Sequence, residues 1–224
     1  MPSENNTSAN NLLVISFLSI RKAIGVLGIS LPLALLFGTF LLNDCQEIQG
    51  SISAYYYTSM RNIFVGILCV VAFYLFSYKG YDSTDRILSA LSGLASLGVA
   101  LLPTSVEPPL TACVNEVVPD SIISHLHFIF AASFFLISAF ISIRQFTLGG
   151  PNPTIQKLNR NNVYRICGYL MIFCIFMIGV YILFLKAQIP ELVEYKPVFW
   201  LESIALWAFG ISWLVKGEFL LEDS

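Results

Sequence analysis

The stretch Ser51-Ile-Ser-Ala-Tyr-Tyr-Tyr-Thr-Ser-Met-Arg-Asn-Ile-Phe-Val-Gly66 opens polar and tyrosine-rich, then passes without a break into apolar sequence. From residue 58 the run continues to residue 78 with a single charge, Arg61, about one turn inside it. An apolar block of about 20 residues reads as a helix that crosses a bilayer. A helix satisfies its own backbone groups where no water is present, which is why helices are the default spanning element.

Working outward from that stretch, the same kind of block recurs. Six spans are expected, at residues 23–42, 58–78, 87–102, 121–143, 163–185 and 197–215. Pro32 lies mid-way along the first and predicts a kink there. The third is short, but Ser92, Ser96 and Ala100 recur every four residues, a small-residue stripe on which a neighbouring helix can pack closely. The expected fold is all-α, an integral membrane bundle of six transmembrane helices occupying residues 21–218. Before it, residues 1–11 are polar and aperiodic and read as disordered, and residues 12–20 read as an interfacial segment. A short tail, residues 219–224, follows.

Composition agrees. Of 224 residues 56% are hydrophobic and 12% charged, with mean hydropathy +0.75. Soluble domains carry about 25% charged residues, so this chain has too few to clothe a water-facing surface. The apolar residues come in blocks, not in the alternation of a membrane barrel. A net charge of −2 gives no basic excess to attract nucleic acid. The five cysteines form no CxxC pair and no zinc-ribbon spacing, and no cofactor is expected. Cys69, Cys167 and Cys174 fall in apolar runs, where a cysteine behaves as a small buried hydrophobe.

Charge placement orients the chain. In the six-span reading Arg21, Lys22, Lys79, Arg86, Arg144, Lys157, Arg160, Arg165 and Lys216 share one side, against Arg61, Lys186 and Lys196 on the other. A Lys/Arg excess marks the cytoplasmic face, so both termini are expected in the cytoplasm. Arg86, Arg160, Arg165 and Lys216 are then expected to face anionic lipid head groups. The opposite loops are acidic and hold Cys45 and Cys113, which there form either a disulfide or two separate thiols.

Ionisable side chains inside a span mark protein-lined or watery sites. At about 1.5 Å per residue, Arg61, His125, His127 and Glu202 fall in one layer near the non-cytoplasmic end, with Ser51, Ser53, Tyr56, Thr58 and Ser59 just above it. Five readings follow. An Arg61–Glu202 ion pair would clasp two helices. A cavity would receive a lipid or amphiphile head group on Ser53, Tyr56, Arg61, His125, His127 and Glu202. A metal site is disfavoured, because residues two apart on a helix, such as His125 and His127, point to nearly opposite sides. A hydrolase or transferase would use Ser53, His127 and Glu202, although no GxSxG elbow is present. A transporter or channel is disfavoured because the inner halves of the second, fourth and fifth spans carry few strong polar groups. The favoured reading is a non-enzymatic protein whose partners are membrane lipids. On the cytoplasmic side, Asp82 is placed to cap the third span, and Asp85 to sit at its N-terminal dipole end.

Ser51-Ile-Ser-x-Tyr-Tyr-x-Thr-x-x-Arg-x-x-Phe-Val-Gly66, Tyr78-Lys-Gly-Tyr-Asp82, Phe199-Trp-Leu-Glu-Ser203 and Trp213-Leu-Val-Lys-Gly217 resemble bacterial multi-pass membrane proteins of unknown function. The resemblance covers nearly all of residues 20–218 and implies six spans in a bacterial inner membrane, with no activity attached. More distantly, an Ile-Ser tract after the first of six spans is similar to the DRAM and FRAG type of membrane protein. Here Ala54 stands where that group has an acidic residue, and Arg61-Asn62 stands near its Pro-Glu pair.

Overall fold

The computed structural model describes residues 3–42, 46–106, 108, 110–114 and 118–221. Helix α1 runs Ser3–Leu42, and a 3-10 turn, Ser53–Tyr57, leads into α2, Arg61–Ser77. Helix α3 is Ser83–Leu101, and α4, Ile122–Phe140, continues through a π-helical turn, Ile141–Gln145. Helix α5, Ile155–Val180, likewise continues through a π-helical turn, Tyr181–Leu185, into the single turn α6, Lys186–Gln188. A second 3-10 segment, Pro190–Tyr195, precedes α7, Pro197–Lys216. Among the described residues the only β-type pairing is an isolated bridge, Val106 with Val118.

The long helices alternate in direction and close a ring in chain order: α1 on α2, α2 on α3, α3 on α4, α4 on α5, α5 on α7, and α7 back on α1. One end of the ring holds Glu202 and the loops after α1 and α3; the other holds Lys216. Bulky rings fill the interior, Phe134 against Phe209 and Trp213 against Phe146 and Tyr78, each with ring centres 5.0 or 5.1 Å apart. Outside, Phe37, Leu41, Phe73, Phe76, Ile129, Phe140, Phe173 and Phe176 are exposed. So much apolar surface has no place in water.

Among the described residues four helical stretches are long and apolar enough to cross a membrane: Phe17–Leu41, Ile122–Gln145, Ile155–Gln188 and Pro197–Lys216. This is an all-helical integral membrane protein. Of the six expected spans, four meet this length and composition among the described residues. Helix α2 has 17 residues, about 26 Å at 1.5 Å per residue and short of a hydrocarbon core of about 30 Å. Helix α3 buries Ser89, Ser92 and Ser96 and opens on charged residues. At its N-terminal end α1 already begins at Ser3. Extending an existing helix needs no new nucleus, and the residue pattern alone does not register that.

The small-residue stripe of α3 serves two neighbours. Ser92 Oγ lies 3.0 Å from Ser138 Oγ of α4, and the Ser96 hydroxyl donates to the Leu68 carbonyl of α2 at 3.0 Å. Across the ring, α1 and α7 meet at glycines: a Cβ on Gly210 would stand 2.6 Å from the Gly25 carbonyl oxygen. Backbones this close leave no room for a side chain.

Candidate functional site

The Glu202 end is built around the loop between α1 and α2. Two backbone ties fix it to the first turns of α7: the Phe199 N–H donates to the Gly50 carbonyl at 3.1 Å, and the Ile52 N–H donates to Glu202 Oε2 at 2.5 Å. The Ser53 N–H also donates to Glu202. Ile52 and Ser53 open the 3-10 turn, so the carboxylate caps donors that have no partner within that turn. Tyr55 of the turn is fully buried against Phe199. Tyr57 donates its hydroxyl to the Thr104 carbonyl at 2.7 Å, just beyond α3, and burial pushes its phenol above the ordinary value.

The loop after α3 is stapled to the same segment. Thr111 donates to the buried Gln49 side chain at 2.7 Å, and the Ala112 N–H donates to the Glu47 carboxylate at 3.2 Å. Beside them Cys113 is disulfide-bonded, while Cys69, Cys167 and Cys174 are free thiols. Cys45, the other cysteine placed on this face, lies outside the described residues.

The predicted layer is not one site. Arg61 and Glu202 do not pair. Arg61 lies at the exposed start of α2, donates to the Tyr56 hydroxyl at 2.6 Å and stacks over that ring at 4.2 Å. Glu202 is spent on the backbone of residues 52 and 53. Depth along a helix was readable from the sequence, but direction around the axis was not, and it is direction that parts these two side chains.

The histidines separate as residues two apart on a helix must. His127 is buried, with Nδ1 2.6 Å from the Leu102 carbonyl oxygen, which ties α4 to the end of α3. His125 faces outward, with Nδ1 2.8 Å from the Ser121 carbonyl oxygen and Nε2 3.4 Å from Asp120 Oδ2. The Ser124 hydroxyl donates to Asp120 at 2.6 Å and, as the largest cause, holds that carboxyl below its ordinary range. His127 therefore bonds away from Ser53 and Glu202, and those two meet through the Ser53 backbone N–H. Ser53 and Glu202 do share a small void with Ser96, Phe64 and Phe134, but its ≈ 30 Å³ admits a water or two and no substrate. Among the described residues no three His, Cys, Asp or Glu side chains gather as metal ligands would.

A larger cavity, ≈ 450 Å³, opens beside the clasped loop. Its polar lining residues include Ser51, Thr104, Asp120, His125, Lys186 and Lys196, and its apolar ones Phe128, Leu183 and Val198. Of the six residues predicted to hold a head group, only His125 lines it. Sequence reading missed the two lysines because they fall in the loop between α5 and α7, outside any apolar run. Their being the only Lys residues at this end was the available signal. Comparison with family models, with curated proteins and with solved structures found no match.

Proposed function

We propose that this chain crosses the membrane six times and binds the polar head of an amphiphile in the cavity beside Ser51, His125 and Lys196. In this reading both termini are cytoplasmic, the cavity faces away from the cytoplasm, and the membrane is the bacterial inner membrane that the resemblance implies. Helices α2 and α3 cross because they fill the ring between two apolar spans and share their depth. The observation that carries the reading is the mixed lining: Lys186, Lys196, His125 and the hydroxyls of Ser51 and Thr104 share the cavity with Phe128, Val198 and the exposed Leu183 and Ile182. Such a lining matches a ligand with a polar head and an apolar tail. Glu202 has a positioning role, since it holds the segment that presents Ser51 and Ala54 to the cavity.

Charge reversal tests this. In Lys186→Glu and Lys196→Glu, purified from membranes and examined by native mass spectrometry, co-purified anionic or zwitterionic lipid should fall several-fold relative to the unaltered chain. Unchanged lipid in both variants would remove the support for a head-group site.

A further inference from the structure

Of the four cations expected to face lipid head groups, Arg160 and Lys216 are buried, at 8% and 7% exposed, which corrects that expectation. The Lys216 ammonium lies 4.8 Å from the Tyr81 ring centre and 5.2 Å from that of Phe146. Arg165 is exposed. With Arg144 it lines a cavity of ≈ 610 Å³ at the same end of the ring, built by the N-cap of α3, by α4 with the turns that follow it, and by α5. Among the described residues nothing from α1 or α7 contributes to that lining.

Two helices bring the arginines together. The Ser142 hydroxyl donates to the Tyr164 carbonyl at 2.8 Å, so Arg144 and Arg165 stand within about one turn of the same level. The π-helical turn Ile141–Gln145 gives the cavity three consecutive residues, Ile143, Arg144 and Gln145. Such turns are frequent at functional sites, and the π turn that continues α5 likewise lines the cavity beside the clasped loop. Gln145 is 6% exposed, and its Oε1 has no hydrogen-bond partner. Neither arginine makes an ion pair with a described residue. Asp82 is the acid in the lining, and its Oδ1 already accepts the Asp85 N–H at 2.7 Å. Asp85 itself is fully buried, where its Oδ2 accepts from the Tyr81 N–H at 3.0 Å and the Tyr78 hydroxyl at 3.2 Å. Two arginines against one aspartate leave the lining one positive charge, the complement of one phosphodiester.

An apolar stripe runs from each arginine toward the Glu202 end. Phe140 and Leu136 stand four and eight residues before Arg144 on α4, and Tyr169, Phe173 and Phe176 stand four, eight and eleven residues after Arg165 on α5. Residues so spaced share one helix face. All five are exposed. Phe140 and Tyr169 line the same cavity, so the two stripes leave it together.

We infer that this cavity seats one anionic phospholipid of the phosphatidylglycerol type, with its phosphodiester on Arg144 and Arg165 and its acyl chains along the two stripes. Arginine forks match phosphate oxygens in bidentate fashion, and a basic pocket between membrane helices suits such a head. The glycerol hydroxyls supply the donor that Gln145 Oε1 lacks. This site is separate from the cavity beside the clasped loop, at the opposite end of the ring.

Its lining is open to the bilayer, so its lipid exchanges and the site is read by adding lipid. The full chain, delipidated in detergent, is titrated with phosphatidylglycerol or with phosphatidylcholine of the same acyl chains, and native mass spectra give an apparent Kd for each. Phosphatidylglycerol should bind more tightly. Arg144→Gln and Arg165→Gln should each weaken it about fivefold, the share of one cation at an anionic surface, and leave phosphatidylcholine unchanged. Arg86→Gln, which removes an exposed cation outside the cavity, and Lys196→Glu, at the opposite end, should both keep the preference. Circular dichroism checks that each variant is folded. Equal affinity for the two lipids, a preference that survives in the double variant Arg144→Gln/Arg165→Gln, or an equal loss in Arg86→Gln overturns the inference. A preference lost in Lys196→Glu alone overturns it as well and leaves the amphiphile site beside the clasped loop standing.

Discussion

The Glu202 carboxylate accepts the backbone N–H of Ile52, a residue 150 positions earlier in the chain. That bond joins the last long helix to the loop between the first two. It also explains why a carboxylate sits in a span with no cation beside it: its partners are backbone donors, and a capped turn satisfies both sides.

The account therefore predicts an asymmetry between two residues that depth alone would pair. Glu202→Ala leaves the Ile52 and Ser53 N–H groups without their acceptor and should cost about 1–3 kcal/mol for each unsatisfied donor. Arg61→Ala removes only an exposed contact with Tyr56 and should change stability by no more than about 0.5 kcal/mol. Thermal unfolding in micelles measures both. Equal losses, with non-additivity in the double variant, would restore the ion pair.

The α1–α7 crossing depends on absent side chains. Gly210→Ala would drive a methyl to 2.6 Å from the Gly25 carbonyl oxygen and must push the helices apart. Gly66→Ala meets nothing within 4 Å and should gain up to about 1 kcal/mol from helix propensity. A midpoint lowered in the first and raised or unchanged in the second is the expected result.

Ser92 and Ser138 join α3 to α4 by one hydroxyl pair. A double-alanine cycle should give a coupling of about 0.6 kcal/mol, the average for such bonds in membranes. Coupling near zero would mean that packing alone seats α3 on α4.

Asp120 should show a pH signature. Its folded pKa is depressed, chiefly by the Ser124 hydroxyl, so its contribution is present above the unfolded carboxylate value of about 3.9. It is lost as the pH falls through the lower folded value. Carbon-detected NMR should place the Asp120 midpoint below that of a free aspartate, and Ser124→Ala should raise it. An unshifted midpoint in the unaltered chain would contradict the bond.

How much of this was legible depends on what each residue had to reveal. The apolar blocks announced the helices, the every-fourth-residue serines announced the tight face of α3, and Asp82 announced its cap, whose carboxylate accepts the Asp85 N–H at 2.7 Å. Gly80, at φ +60°, was the silent partner of that cap, since a side chain there would strike Asp85. Azimuth stayed hidden. Arg61 and Glu202 share a depth yet look in different directions, and Lys216 reads as a last-turn surface lysine until Tyr81 and Phe146 are seen to enclose it. Asp85, read as a dipole partner, proves to be the buried acceptor for Tyr78 and Tyr81. Such facts depend on which helices are neighbours, and no local pattern encodes that.

The central claim is that the cavity beside the clasped loop is occupied by an amphiphile. Filling it from its polar lining with Ser51→Trp, and comparing the lipid retained by that variant, by Arg61→Ala and by the unaltered chain in native mass spectra, tests this most directly. The account predicts that bound lipid is lost in Ser51→Trp and kept in Arg61→Ala. Retention in Ser51→Trp at the level of the unaltered chain would contradict it.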